Sequence, residues 1–102
     1  MYVLRTGTRL QSQVCETQVI VVRSSAGLDN LRAGGVAMVA LGEAGDSSVT
    51  MDSAFSGGSV LGKRYVADDG AEVLVTRGGA GTLSIGDTPL TIKSAQPLPA
   101  SD

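Results

Sequence analysis

The sequence predicts an all-β fold, and three features carry that reading. Fourteen glycines and three prolines among 102 residues impose frequent tight turns, which favours short strands over long helices. The apolar residues either run as β-branched stretches, as in Val19-Ile20-Val21-Val22, or alternate with polar ones, as in Arg9-Leu10-Gln11-Ser12-Gln13-Val14; no segment carries them at the helical period. The same strand–turn–strand pattern also occurs twice along the chain. The expected form is a small pseudo-symmetric β-sandwich or barrel made of two hairpin-rich units.

Taken in order, residues 2–4 read as a short opening strand and residues 9–15 as a half-buried strand. Residues 19–22 suit a strand covered on both faces, or one given to a subunit contact. Ser24-Ser25-Ala26-Gly27 is a turn, residues 28–32 a returning strand with a bulge or turn at Asp29-Asn30, and Gly34-Gly35 a break before the apolar residues 36–41. Residues 42–61 are a Gly/Ser-rich connector with one helical turn expected over 52–55, where Phe55 pins it to the core. The second unit has Asp69-Gly70 as a hairpin turn, residues 72–77 as a strand, Gly78-Gly79-Ala80-Gly81 as a glycine loop and residues 82–85 as the return. A further turn at 86–89 leads to a last strand over 90–93, and residues 94–102, with Pro97 and Pro99, form an extended tail. The organisation is therefore one domain, 1–102, with a first unit 7–41, a connector 42–61, a second unit 62–93 and a tail.

The two units align residue by residue. Gly7, Arg9 and Leu10 match Gly62, Arg64 and Tyr65 at an offset of 62 − 7 = 55. Val19, Arg23 and Gly27 match Val73, Arg77 and Gly81 at 73 − 19 = 54, and Leu31 and Met38 match Leu83 and Leu90 at 83 − 31 = 52. The expectation is two duplicated units that bury one another's apolar faces, and the plain alternative is chance similarity between two hairpins of Val/Gly-rich composition.

Composition bounds the function. With 42% apolar but 3% aromatic residues, the core is built from Val, Leu, Ile and Ala, each contributing about 1.5–3 kcal/mol on full burial. A net charge of −2 gives no electrostatic footprint for nucleic acid or an anionic membrane. No apolar run approaches the roughly 20 residues of a membrane helix, and the N-terminus does not read as a signal peptide. One cysteine excludes an internal disulfide and fits a cytoplasmic location. The absence of histidine removes the commonest metal ligand and near-neutral base.

Residues 7–15 with Leu31-Arg32-Ala33-Gly34-Gly35-Val36-Ala37-Met38 resemble desulforedoxin and the N-terminal iron domain of desulfoferrodoxin. The second unit follows the same frame, with Tyr65 at the aromatic position and residues 83–90 closing it. The resemblance implies a small β fold in which four thiolates hold one iron and which dimerises. It places the ligands at Ser12, Cys15, Ala33 and Gly34, and at Ala67, Gly70, Ile85 and Gly86. Only Cys15 is a cysteine, so the resemblance extends to the scaffold and leaves Cys15 as a relict ligand, with no cofactor expected.

Each candidate residue has a plain structural alternative. Cys15 is a redox-sensitive thiol or a small apolar filler. The glycine loops at 34–35 and 78–81 lack the phosphate-loop lysine and a following helix, and read as turns. Asp68, Asp69 and Asp87 lack a calcium-loop pattern and read as turn residues. Arg23 and Arg77, at equivalent strand ends, are anion contacts or solvated charges that limit edge pairing. Val19 and Val21 either recruit another chain by sheet extension or fill the core. No catalytic residue is singled out. The expectation is a non-catalytic β module, an accessory subunit or assembly factor, acting through a protein partner or self-association as a homodimer or hetero-complex. Two alternatives stay open: an iron-binding redox protein of the desulforedoxin type, and a small ligand-binding barrel or enzyme using Tyr2, Tyr65, Asp68, Asp69 and Arg64.

Overall fold

A computed structural model describes residues 5–46 and 48–93 as two antiparallel sheets packed into a small β-sandwich. The strands are β1 (Arg9–Gln11), β2 (Gln18–Arg23), β3 (Leu31–Ala33), β4 (Val36–Ala37), β5 (Val39–Ala40), β6 (Arg64–Val66), β7 (Glu72–Arg77), β8 (Leu83–Ile85), β9 (Thr88–Pro89) and β10 (Thr91–Ile92). One sheet runs β10-β6-β7-β2-β1-β5 and the other β4-β3-β8-β9. The expected strand over 2–4 and the tail 94–102 lie outside the described residues.

Exchanging β1–β5 for β6–β10 reproduces the order of both sheets. Where β2 meets β7, Val19 faces Val75, Val21 faces Val73, and Ile20 faces Leu74 between them. Where β3 meets β8, Leu31 faces Ile85, Ala33 faces Leu83, and Arg32 faces Ser84. Backbone hydrogen bonds recur at matching positions: Gly7 N–H to Val21 O at 2.8 Å and Gly62 N–H to Val75 O at 2.9 Å, Leu41 N–H to Arg9 O at 3.0 Å and Lys93 N–H to Arg64 O at 2.8 Å. Two more cross between the units in mirrored sense, Gly34 N–H to Thr82 O and Gly86 N–H to Asn30 O, each 3.0 Å.

The strands form because inward positions carry aliphatic side chains at the strand period. Val19 and Val21 of β2, Val73 and Val75 of β7, and Leu31, Ala33 and Leu83 of the smaller sheet are all buried in one core between the sheets. Three local expectations change. Residues 28–30 belong to a 3-10 turn, Ala26–Asn30, that buries Leu28 before β3 begins. The strand expected over 9–15 stops at Gln11, because the Ser12 hydroxyl oxygen accepts both the Val14 and Cys15 N–H groups and turns the backbone. The strand expected over 90–93 is β10 alone, with Leu90 bridging back to Leu83. The connector's helical turn is Ser53–Phe55, capped by the Asp52 carboxylate on Ala54 N–H.

Among the described residues one charge is buried. Glu72 at the start of β7 is 6% exposed and meets Arg64 at 3.4 Å and Lys93 at 3.3 Å, both of which reach solvent. The asymmetry predicts the mutants. Glu72→Gln releases two cations to water and is expected to cost about 1 kcal/mol. The double variant Arg64→Ala, Lys93→Ala leaves a buried carboxylate without a partner and is expected to cost about 3 kcal/mol. Urea unfolding of the two proteins measures the difference.

Candidate functional site

Two places are candidates for a site, one around a residue that the sequence singles out and one that it does not. The first is the turn after β1. Cys15 is half-buried there, its sulfur 3.3 Å from both the Ser12 and Thr17 hydroxyl oxygens. The Thr17 hydroxyl is fully buried and shares a 2.6 Å hydrogen bond with that of Ser59. The second unit supplies the opposite wall through Gly79 and Gly81: a β-carbon on Gly81 would lie 3.1 Å from the Cys15 sulfur.

Partial burial pushes the Cys15 thiol up, but hydrogen bonds from the Ser12 and Thr17 hydroxyls and from the Thr17 and Gly81 N–H groups outweigh it and hold the thiol below its ordinary value. Ser12 can donate because its oxygen already accepts two backbone N–H groups. A depressed acid stabilises the fold above its unfolded pKa and loses that contribution as pH falls through its folded pKa. The pH profile of iodoacetamide alkylation is therefore expected to rise at lower pH than for an ordinary thiol, and to move up in Ser12→Ala.

The same residues test the iron implied by the resemblance. Ala33 is fully buried as a methyl group. A β-carbon on Gly34 would lie 2.9 Å from Val14 Cγ2 and 3.0 Å from Met51 Cγ, so connector and turn fill that space. In the second unit, Ala67 and Ile85 border a hollow of about 200 Å³ with hydrocarbon, and a β-carbon on Gly86 would meet the Asn30 amide at 2.8 Å. A tetrahedral thiolate site takes four soft ligands, and these residues do not fit one. Among the described residues no three His, Cys, Asp or Glu side chains gather as a metal set.

The second place is an open groove of about 640 Å³ between the two sheets at the end of the first unit. Its walls are Leu10, Leu31, Met38, Val39 and Ala40, with Leu28 from the 3-10 turn and the carboxylate residues Asp29 and Glu43. Leu10, Leu28 and Leu31 belong to the hydrophobic core and stay buried, so they form the floor of the groove while the half-buried Met38, Val39 and Ala40 are its accessible apolar wall. Asp29 and Glu43 are exposed, and no ion pair among the described residues involves either.

The other candidates are dispersed. Val19 and Val21 are each 1% exposed, and both edges of β2 are paired, with β1 and with β7. Core burial is thus the alternative the structure realises, and sheet extension through β2 has no free edge. Arg23 is exposed at the end of β2 opposite Glu72. Arg77 pairs with Glu16 at 2.5 Å on the surface, a contact worth little. Asp69 accepts from the Ser25 hydroxyl at 2.7 Å and from Ala71 N–H at 3.1 Å, and these two bonds hold its carboxyl below the usual range. Tyr65 is buried, its hydroxyl oxygen accepting from Val60 N–H at 2.9 Å. None of Asp29, Met38 and Glu43 is a candidate site residue in the sequence, where Asp29 reads as a turn residue and Met38 as the counterpart of Leu90; the one signal for a groove is Leu10 standing where the second unit has Tyr65. No family model, curated protein or solved structure matches this chain.

No helix among the described residues is long and apolar enough to cross a membrane.

Proposed function

We propose that the chain is a non-catalytic β module that acts by protein contact, as an accessory subunit or assembly module. Its scaffold is two desulforedoxin-like units that hold each other by aliphatic packing in place of a metal. The observation that carries the reading is the groove: half-buried Met38, Val39 and Ala40 form its apolar wall over a floor of core leucines, beside two carboxylates outside every ion pair of the described residues. A concave apolar wall with a few polar groups beside it is a shape that seats a ligand or a partner's side chain. The hydroxyl-bound thiol of Cys15 stands apart from the groove lining and has no part in the contact.

The test is a charge at the mouth of the groove. Met38 is half-buried, so Met38→Glu spoils the apolar wall without entering the closed core. Affinity capture from the native host with wild type and variant, both shown to unfold at the same urea midpoint, is expected to retain a partner only with the wild type. Equal capture by both proteins overturns the groove as the contact surface. A wild type that sediments as a dimer and a variant that sediments as a monomer would identify the partner as a second copy.

A further inference from the structure

We infer that the groove receives an aromatic side chain carried beside lysine or arginine on an extended segment of a partner protein, an inference that rests on the contact reading above. The first argument is the other half of the molecule. Leu10 and Tyr65 hold the same place in the two units: Leu10 faces Val19 across β1–β2, and Tyr65 faces Val73 across β6–β7. The hydrogen bonds of Arg9 O with Leu41 N–H and of Arg64 O with Lys93 N–H flank both positions alike. In the second unit the phenol ring lies in the core between the sheets, with Leu83 and Leu90 in the same cluster and its hydroxyl on Val60 N–H. In the first unit the matching walls are Leu31 and Met38, and the floor is the smaller Leu10 together with Leu28 of the 3-10 turn, both buried, with the groove lying outside them. The frame that accepts a ring from its own chain in one half lacks it in the other. A volume of about 640 Å³ exceeds one ring and leaves room for the flanking residues.

The second argument is charge. Asp29 and Glu43 stand in the groove lining, exposed and outside every ion pair of the described residues, and no lysine or arginine lines the groove. Unpaired carboxylates beside an apolar slot favour a basic flank on the occupant and speed its encounter. The third is the free edge of β5, the outermost strand of its sheet. It pairs only with β1 and is two residues long, with Ala40 O already accepting Glu43 N–H at 2.9 Å, so an extended segment meets a short open edge beside the groove.

The test uses the full chain and three blocked synthetic peptides: Ac-Lys-Gly-Tyr-Gly-Lys-amide, the same peptide with Glu in place of Lys, and the same with Ala in place of Tyr. Binding is followed by the NMR shift of the Met38 methyl group. Saturable shifts are expected with the Lys/Tyr peptide, about tenfold weaker with either analogue, and weaker as salt is raised. Asp29→Asn with Glu43→Gln, two surface changes, is expected to erase the preference for Lys over Glu. Leu10→Tyr, which copies the second unit, is expected to abolish the shifts. The inference is overturned if the Lys/Tyr peptide gives no saturable shift, if the carboxylate variant keeps the preference, or if free p-cresol binds as tightly as the peptide, which would make this a small-molecule site. Loss of partner capture in Met38→Glu alongside a failed peptide titration would leave the contact reading standing and remove only the chemistry assigned to its occupant.

Discussion

Leu83→Ala is expected to destabilise the whole protein by about 2–5 kcal/mol, and Leu31→Ala by a similar amount. The side chains are 1% and 3% exposed, and both lie in the single core cluster that spans the two units. Leu83 sits opposite Ala33, the smallest aliphatic residue in that row, so the cavity left by truncation has no large neighbour to collapse into it. Because the core is shared, either variant is expected to lower the stability of both units together. Native-state hydrogen exchange reads this directly: amides of β2 and β7 should lose protection in step in each variant. Loss confined to the unit that carries the substitution would show two separate cores.

Gly81→Ala is expected to cost about 1–3 kcal/mol, through crowding at the seam between the units. The new β-carbon would lie 2.7 Å from Gly34 N and 3.0 Å from Gly34 Cα, both backbone atoms of the other unit that cannot swing aside. It would also come within 3.1 Å of the Cys15 sulfur. Gly42→Ala is the comparison, since its β-carbon meets nothing within 4 Å and its cost comes from a φ of +87° alone. Urea midpoints separate the two. Only Gly81→Ala should also change the alkylation of Cys15, because it alone moves the wall the thiol faces.

The strand content and its spacing were legible because aliphatic residues at inward positions leave a period of two in the sequence. The paired register of Val19 with Val75 and Val21 with Val73 follows the same residues that align between the units. The 3-10 turn was not legible as such: Leu28-Asp29-Asn30 is too short to show a period, and the burial of Leu28 decides it. The end of β1 depended on one hydroxyl, Ser12, whose bonds to Val14 and Cys15 N–H outcompete the ladder. The connector's contacts were invisible for a different reason. Met51 and Asp52 pack against Gly34 and Gly35 across the chain, and Asp52 N–H bonds Gly34 O at 2.9 Å, contacts that no local pattern encodes. The groove was not legible although Leu10 aligns with Tyr65 in the sequence, because its walls come together from β1, the 3-10 turn, β3, β5 and the residues between and after them.

The account holds that two metal-less units are kept folded by one aliphatic core. Elemental analysis of the purified chain, joined to thermal unfolding with and without a strong chelator, tests this most directly. The expected result is substoichiometric iron and zinc, with a single cooperative transition whose midpoint the chelator leaves unchanged. One equivalent of either metal, or a midpoint that falls when it is stripped away, would contradict it.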